Sequence, residues 1–169
     1  SEEDIKNFIS GVKESGEIHA ILHCVGSFAV RPPHAMNKEA FEAVISTNLT
    51  SAFLTLSIAG KAMLSQGHGR MVFMSSVAGS LGLVNHEAIS AAKGGIESMV
   101  RSAAATYANR GLRINAVAPG LTDTKLASPI MSNETASQAA SQKIPIKRVG
   151  SKEEVANVIK WLLTEAPEN

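Results

Sequence analysis

Only one of the 169 residues is a cysteine, Cys24, so the chain closes no internal disulfide, a composition suited to a reducing compartment. Excess charge of either sign is missing too. The formal net charge is +1, which gives no electrostatic argument for nucleic acid or a membrane surface as partner. No apolar run approaches the roughly 18 residues of a membrane span, and the acidic opening, Ser1-Glu2-Glu3-Asp4, is unlike a signal or transit peptide. These absences lead to the expectation of a soluble, cytoplasmic protein. A glycine-rich turn from a strand into a helix is also absent. Gly67-His68-Gly69 runs into Arg70 and a strand, and so cannot cradle a pyrophosphate on a helix N-terminus. There is no internal repeat, low-complexity tract or second-domain linker.

What is present is a globular composition, 44% apolar and 18% charged, long enough for a single domain over residues 1–169 with a normal core. Three apolar, strand-like runs alternate with helical patterns, which indicates an α/β fold on a parallel sheet. A first helix starts near Glu2, with Ile5, Phe8, Ile9 and Val12 on one face, and stops before Gly16. Ile18 to Cys24 reads as a buried strand and Arg31-Pro32-Pro33 as a loop. A long helical stretch runs from Asn37 to about Ser65, open to division near Asn48 to Thr50. Met71 to Met74 is a second strand, 86–109 a further helix, and Arg113 to Ala118 a third strand. Beyond Pro119-Gly120 a loop rich in Ser, Thr and Asn extends to about Gln142, with one short helix. Ser151-Lys152-Glu153-Glu154 is a capping box. The helix it opens is expected to turn Val155, Val158, Ile159 and Leu162 inward. Three parallel strands make a thin sheet with both edges unpaired, so the sequence predicts a partial fold.

Five segments, in order, carry a family resemblance. Asn48-Leu49-Thr50-Ser51 lies in the long helical stretch. Gly69-Arg70 leads into Ser75-Ser76-Val77-Ala78-Gly79, and Lys93 follows in the next helix. Arg113-Ile114-Asn115-Ala116-Val117-Ala118-Pro119-Gly120 joins the third strand to its loop, and Ile144-Pro145-Ile146-Lys147-Arg148-Val149-Gly150 precedes Glu153-Glu154-Val155. Together they resemble the short-chain dehydrogenase/reductase family over essentially the whole chain. The resemblance implies a Rossmann-type, doubly wound parallel sheet with flanking helices, of which this chain holds three strands of seven. It would be the C-terminal two-thirds of such a domain. The family's Thr-Gly-x-x-x-Gly-x-Gly turn and its last strand are expected outside it.

The same resemblance implies hydride transfer between NADP or NAD and a small-molecule carbonyl or alcohol. The choice of cofactor would be read by residues outside the chain. In the family a tyrosine moves the proton, and its ordinary pKa near 10 must fall for work near neutrality. A lysine four residues later lies on the same helix face, lowers that pKa by its charge and binds the nicotinamide ribose. A serine orients the substrate oxygen, and an asparagine holds a water linking the lysine to solvent. Carried across, Asn48, Ser76 and Lys93 take these roles. The tyrosine's position holds Ile89, which has no ionisable proton. Plainer readings exist for each: Lys93 as a solvated helix-start lysine, Ser76 as a strand-end cap, Asn48 as the bridge of a helix kink.

His86, one helical turn before Ile89, is the candidate substitute acid, since histidine is the side-chain type suited to proton transfer near neutrality, with Glu87 next. Tyr107, the sole tyrosine, reads as structural. The family's Asn-Asn-Ala-Gly motif is here His23-Cys24-Val25-Gly26, and only Gly26 survives to let the backbone approach the cofactor. Pro119, Gly120, Leu121 and Thr124 are implied at the nicotinamide, and Leu126 to Gln142 as a mobile substrate lid. His19 and His23 would share one face of a strand, but no carboxylate or cysteine completes a ligand set there, so no metal is expected. Cys24 reads as a small buried hydrophobe. Small residues from Ala91 to Ala105 allow close helix approach and, by the resemblance, a homodimer or homotetramer. Two functions remain: an oxidoreductase of atypical catalytic set, inactive as this fragment alone, or a non-catalytic member that keeps cofactor or partner binding.

Overall fold

A computed structural model describes residues 1–168. The chain runs through α1 (Glu2–Ser15), β1 (Ala20–His23), α2 (Lys38–Ile45), one turn of π-helix (Ser46–Thr50), α3 (Ser51–Gln66) and β2 (Gly69–Met74). It continues through α4 (Glu87–Tyr107), β3 (Leu112–Val117), α5 (Ser128–Met131), α6 (Glu134–Lys143) and α7 (Lys152–Thr164). Both parallel pairings are present, in the order β1-β2-β3.

β2 reads as a continuous apolar run because it is covered on both faces. Met71 and Phe73 join Ile9 of α1, Met63 of α3 and Ile96 of α4 in the main core, while α7 packs against β2 and β3. Helices on both faces of a parallel sheet make this the doubly wound arrangement expected from the motifs. The capping box at α7 is formed: the Ser151 hydroxyl accepts from Glu154 N at 3.1 Å and Ser151 N donates to the Glu154 carboxylate at 2.8 Å.

Several expectations of burial need correction. β1 is shorter than Ile18 to Cys24 and is not a buried strand: Ala20 and Leu22, on one face, are exposed, Leu22 by 43%, while Ile21 and His23 on the other face are partly covered and buried respectively. Cys24 is exposed rather than buried. On α1 the inward stripe is Ile5, Ile9 and Val12, and Phe8, 65% exposed, is turned away. Val158 on α7 is likewise exposed. The segment expected as a loop with one short helix carries two helices, α5 and α6.

The reading that no long apolar run exists is also corrected. The continuous helical stretch Lys38–Gln66 contains an 18-residue window of mean hydropathy 1.4, enough to cross a membrane by length and composition. Here it packs as a core helix: Ala52, Leu56, Ala59 and Met63 are buried on one side, and its π-turn buries an asparagine.

Candidate active site

In a parallel α/β sheet, ligand sites form beyond the carboxyl ends of the strands. Three residues expected from separate motifs meet there. The π-turn widens the helix and carries Asn48 fully inward. Its Nδ2 donates to Val44 O and to Ser27 Oγ, both at 2.9 Å, and its Oδ1 accepts from Ser27 N at 3.2 Å. Asn48 thus bridges the break in its own helix and also pins the loop that follows β1. Gly26 lies in that loop. A Cβ there would sit 3.0 Å from Asn48 Oδ1 and 3.5 Å from Lys93 Nζ, so a glycine is what lets the three come together.

Lys93 is buried on α4, which excludes the plain solvated reading of its side chain. Its Nζ donates to Met74 O at 2.8 Å, the one protein hydrogen bond it makes among the described residues. An ammonium has three donors, and among the described residues no carboxylate pairs with this one. Burial therefore holds the Lys93 pKa below the ordinary lysine value.

Ser76 follows β2, half-buried, and its Oγ accepts from Ala78 N at 3.2 Å, the local cap anticipated as the plainer reading. That bond leaves its own hydroxyl hydrogen uncommitted. The turn it opens lies directly on α4, since a Cβ at Gly79 would be 2.9 Å from Gly94 N. Buried Ser75 holds the turn in place, with its hydroxyl 2.9 Å from Glu97 Oε1 and 3.1 Å from Lys93 O. Ser27, Ser75 and Glu97 were not singled out by the sequence reading. The Ser75-Ser76 doublet was a faint signal for one of them, and nothing local marks the other two.

Ile89 is buried among Val44, Ala78, Ala88 and Ala92. His86 occupies the N-cap position of α4, and its Nδ1–H donates to Val84 O at 2.7 Å. No hydrogen bond joins it to Ser76 or Lys93 among the described residues. Pro119 is tied to the serine turn, its carbonyl accepting from Val77 N at 3.0 Å. Leu121 O accepts from Gly150 N at 3.0 Å, which braces the same loop from the segment before α7. Gly120 and Thr124 are exposed. Tyr107 packs on the main core and lines a groove of about 430 Å³ with Phe53 and Arg110, a groove that includes none of the site residues above.

His23 does not pair with His19. It is buried at the end of β1, its ring nitrogens 3.0 Å from Thr55 Oγ1 and 3.1 Å from Ser51 Oγ. Burial, then the charge of Lys93, lowers its pKa, so the imidazole is held neutral.

A buried lysine, an inward asparagine and a glycine are gathered beyond the strand ends of a doubly wound sheet, the place where α/β proteins of this class keep their ligand sites. More narrowly, the chain belongs to the short-chain dehydrogenase/reductase family. Residues 1–168 match the family model described as enoyl-(acyl carrier protein) reductase. The chain is 41% identical over 154 residues to cis-4-hydroxycyclohexanecarboxylate dehydrogenase of Sinomonas cyclohexanicum, covering 90% of this chain and 61% of that protein. It is 36% identical over 158 residues to 3-oxoacyl-[acyl-carrier-protein] reductase MabA of Mycobacterium tuberculosis, covering 94% and 63%. Its fold is similar to that of ElxO, solved with NADP bound, with TM-score 0.92, 26% identity and coverage of 99% of this chain and 69% of that one. The chain therefore spans less than two thirds of the length of these two curated relatives.

Proposed function

We propose that the full-length protein carrying this chain is an NAD(P)-dependent oxidoreductase acting on a small-molecule carbonyl or alcohol, with an atypical proton donor. The observation that carries this reading is the environment of Lys93: a buried ammonium with two spare donors and no acidic partner among the described residues, beside a glycine that keeps the approach open. NADP or NAD would supply or accept the hydride. Lys93 would donate to the ribose hydroxyls, and Gly26 would let the backbone lie against the cofactor. The backbone of Pro119, Gly120 and Leu121 and the Thr124 hydroxyl would meet the nicotinamide amide. Ser76 would give its uncommitted hydroxyl hydrogen to the substrate oxygen, and Asn48 would hold a water beside Lys93. His86 would take the tyrosine's part: with Nδ1–H held by Val84 O, Nε2 is the atom left to carry the transferred proton. The protein is read as a cytoplasmic homodimer or homotetramer, with no nucleic-acid or membrane partner. Exposed Phe53 beside the groove along α3 and α4 supports such an assembly.

A second reading is a non-catalytic member that keeps cofactor or partner binding. It is favoured by Ile89, which fills an apolar cluster rather than presenting any polar atom to the site. Fluorescence titration of the full-length protein with NADPH and NADH, followed by a turnover assay on small ketones and alcohols with the nucleotide that binds, separates the two. Saturable binding that Lys93→Met weakens, together with turnover, supports the oxidoreductase; binding without turnover supports the non-catalytic member. Failure of the folded protein to bind either nucleotide would transfer the case to a partner-binding role.

A further inference from the structure

The end of the sheet opposite Lys93 carries its own cluster of metal-ligating side chains. Glu17 and His19 precede β1 and His68 precedes β2, and one ligand atom from each lies within 4.8 Å of the others. Glu17 Oε2 and His68 Nε2 are 3.2 Å apart. That is close to the separation of about 3.3 Å that two ligands of a tetrahedral zinc adopt with bonds of about 2.0–2.1 Å. The two imidazoles are stacked, with ring centroids 5.2 Å apart and planes 19° from parallel.

The backbones that present these groups are clamped together. The Gln66 side chain accepts from Ile18 N and donates to Ile18 O, each at 3.0 Å, and Arg70 N donates to His19 O at 3.0 Å. Ile18 is buried, and its two neighbours, Glu17 and His19, are exposed on the other side, as alternation along an extended segment requires. Both connections are thus fixed before any ion arrives, and only side-chain rotation is needed to bring His19 in.

We propose that Glu17, His19 and His68 bind one divalent transition-metal ion, zinc first, leaving a fourth position to solvent. Two imidazoles and a carboxylate are a borderline-hard set suited to zinc, and the exposed position of the cluster gives the ion a path in. Bound there, the ion would staple the connection before β1 to the connection before β2. A metal was not expected from the sequence because the histidines weighed together were His19 and His23, whereas His19 has His68 as its neighbour instead.

The test is calorimetric titration of chelator-treated full-length protein with Zn²⁺, repeated for His19→Ala, His68→Ala and Cys24→Ser, with circular dichroism to show that each variant is folded. The exposed thiol of Cys24 is the competing site that the last variant removes. One ion per chain is expected, with Cys24→Ser unchanged. Loss of a mere outer-shell partner costs a metal site about 10–100-fold, so either histidine variant should weaken binding at least tenfold. A Zn²⁺-dependent rise in Tm should vanish in the same two variants. Absence of saturable binding, equal affinity in the histidine variants, or loss of binding in Cys24→Ser would overturn the proposal and leave Glu17 and His68 as a surface hydrogen-bonded pair.

Discussion

Lys93 donates to the main-chain oxygen of Met74 across 2.8 Å, a bond that fastens the first turns of α4 to the last residue of β2. Because the acceptor is a neutral carbonyl, the ammonium keeps its charge for whatever enters the site. Lys93→Met is therefore expected to weaken nucleotide binding by about 10–100-fold, the worth of a hydrogen bond to a charged group. The pH dependence has a definite sign. Burial lowers the Lys93 pKa below 10.5, so over the window between its lowered value and 10.5 the unfolded chain holds more protons and stability rises with pH. Nucleotide affinity should fall over the same window as the charge is lost. Denaturant titrations and nucleotide titrations at alkaline pH check both, and the Met variant should show neither trend.

Ile89→Tyr is expected to raise carbonyl reduction by about 10²-fold or more, the usual size of an acid–base contribution. The larger ring enters a filled cluster, so the variant should also be less stable by about 1–3 kcal/mol. Steady-state reduction of generic ketones or quinones with saturating nucleotide measures the first effect and denaturant unfolding the second. No gain with nucleotide binding intact would mean that more than the tyrosine is lacking.

His86→Ala should abolish native turnover if His86 carries the proton, while leaving nucleotide affinity unchanged. Turnover equal to the wild type would exclude it as the acid.

Gly26→Ala tests the crowding around Asn48 and Lys93. A methyl group 3.0 Å from Asn48 Oδ1 forces one neighbour to move, and over-packing of this kind costs about 1–3 kcal/mol. Nucleotide titration of the variant should show a loss of affinity, with circular dichroism unchanged. Full affinity would mean that the cofactor does not approach through this gap.

His23 is expected to make the protein sensitive to acid. Its folded-state pKa lies below the ordinary histidine value of 6.5, so as pH falls from there the unfolded chain takes up a proton that the native imidazole resists. Stability contributed above 6.5 is lost on that descent. The groups facing the ring are the Ser51 and Thr55 hydroxyls, and Lys93 is the charge that opposes protonation. Urea unfolding between about pH 5 and 7 should show a slope that His23→Asn flattens; an identical slope in the variant would place the acid sensitivity elsewhere.

The order of helices and strands was legible because each carried a local signal, such as the Ser151–Glu154 capping box or the polar break at Asn48 to Thr50. Asn48, Ser76 and Lys93 were legible through motif spacing. Burial was read less well. Phe8 and Ile9 are adjacent on an amphipathic helix, and which of them is covered depends on where α3 and β1 lie rather than on the pattern of α1. Ser27 and Glu97 were invisible for a related reason: their partners, Asn48 and Ser75, are distant in the chain, and only the folded arrangement brings them within hydrogen-bond range.

The π-turn at Ser46–Thr50 sets a phase relation between two helical segments. Removing one residue from it would let the backbone run on as a plain α-helix, and everything on one side would rotate by about 100° relative to the other. The apolar face of α3 is locked to the core, so the rotation would fall on α2 and on Asn48 itself. A single deletion there should leave a helical, folded chain whose asparagine no longer reaches Ser27, while a conservative substitution in the same turn keeps it in register. The length of this turn, more than its composition, is thus what natural variation in the protein is expected to preserve.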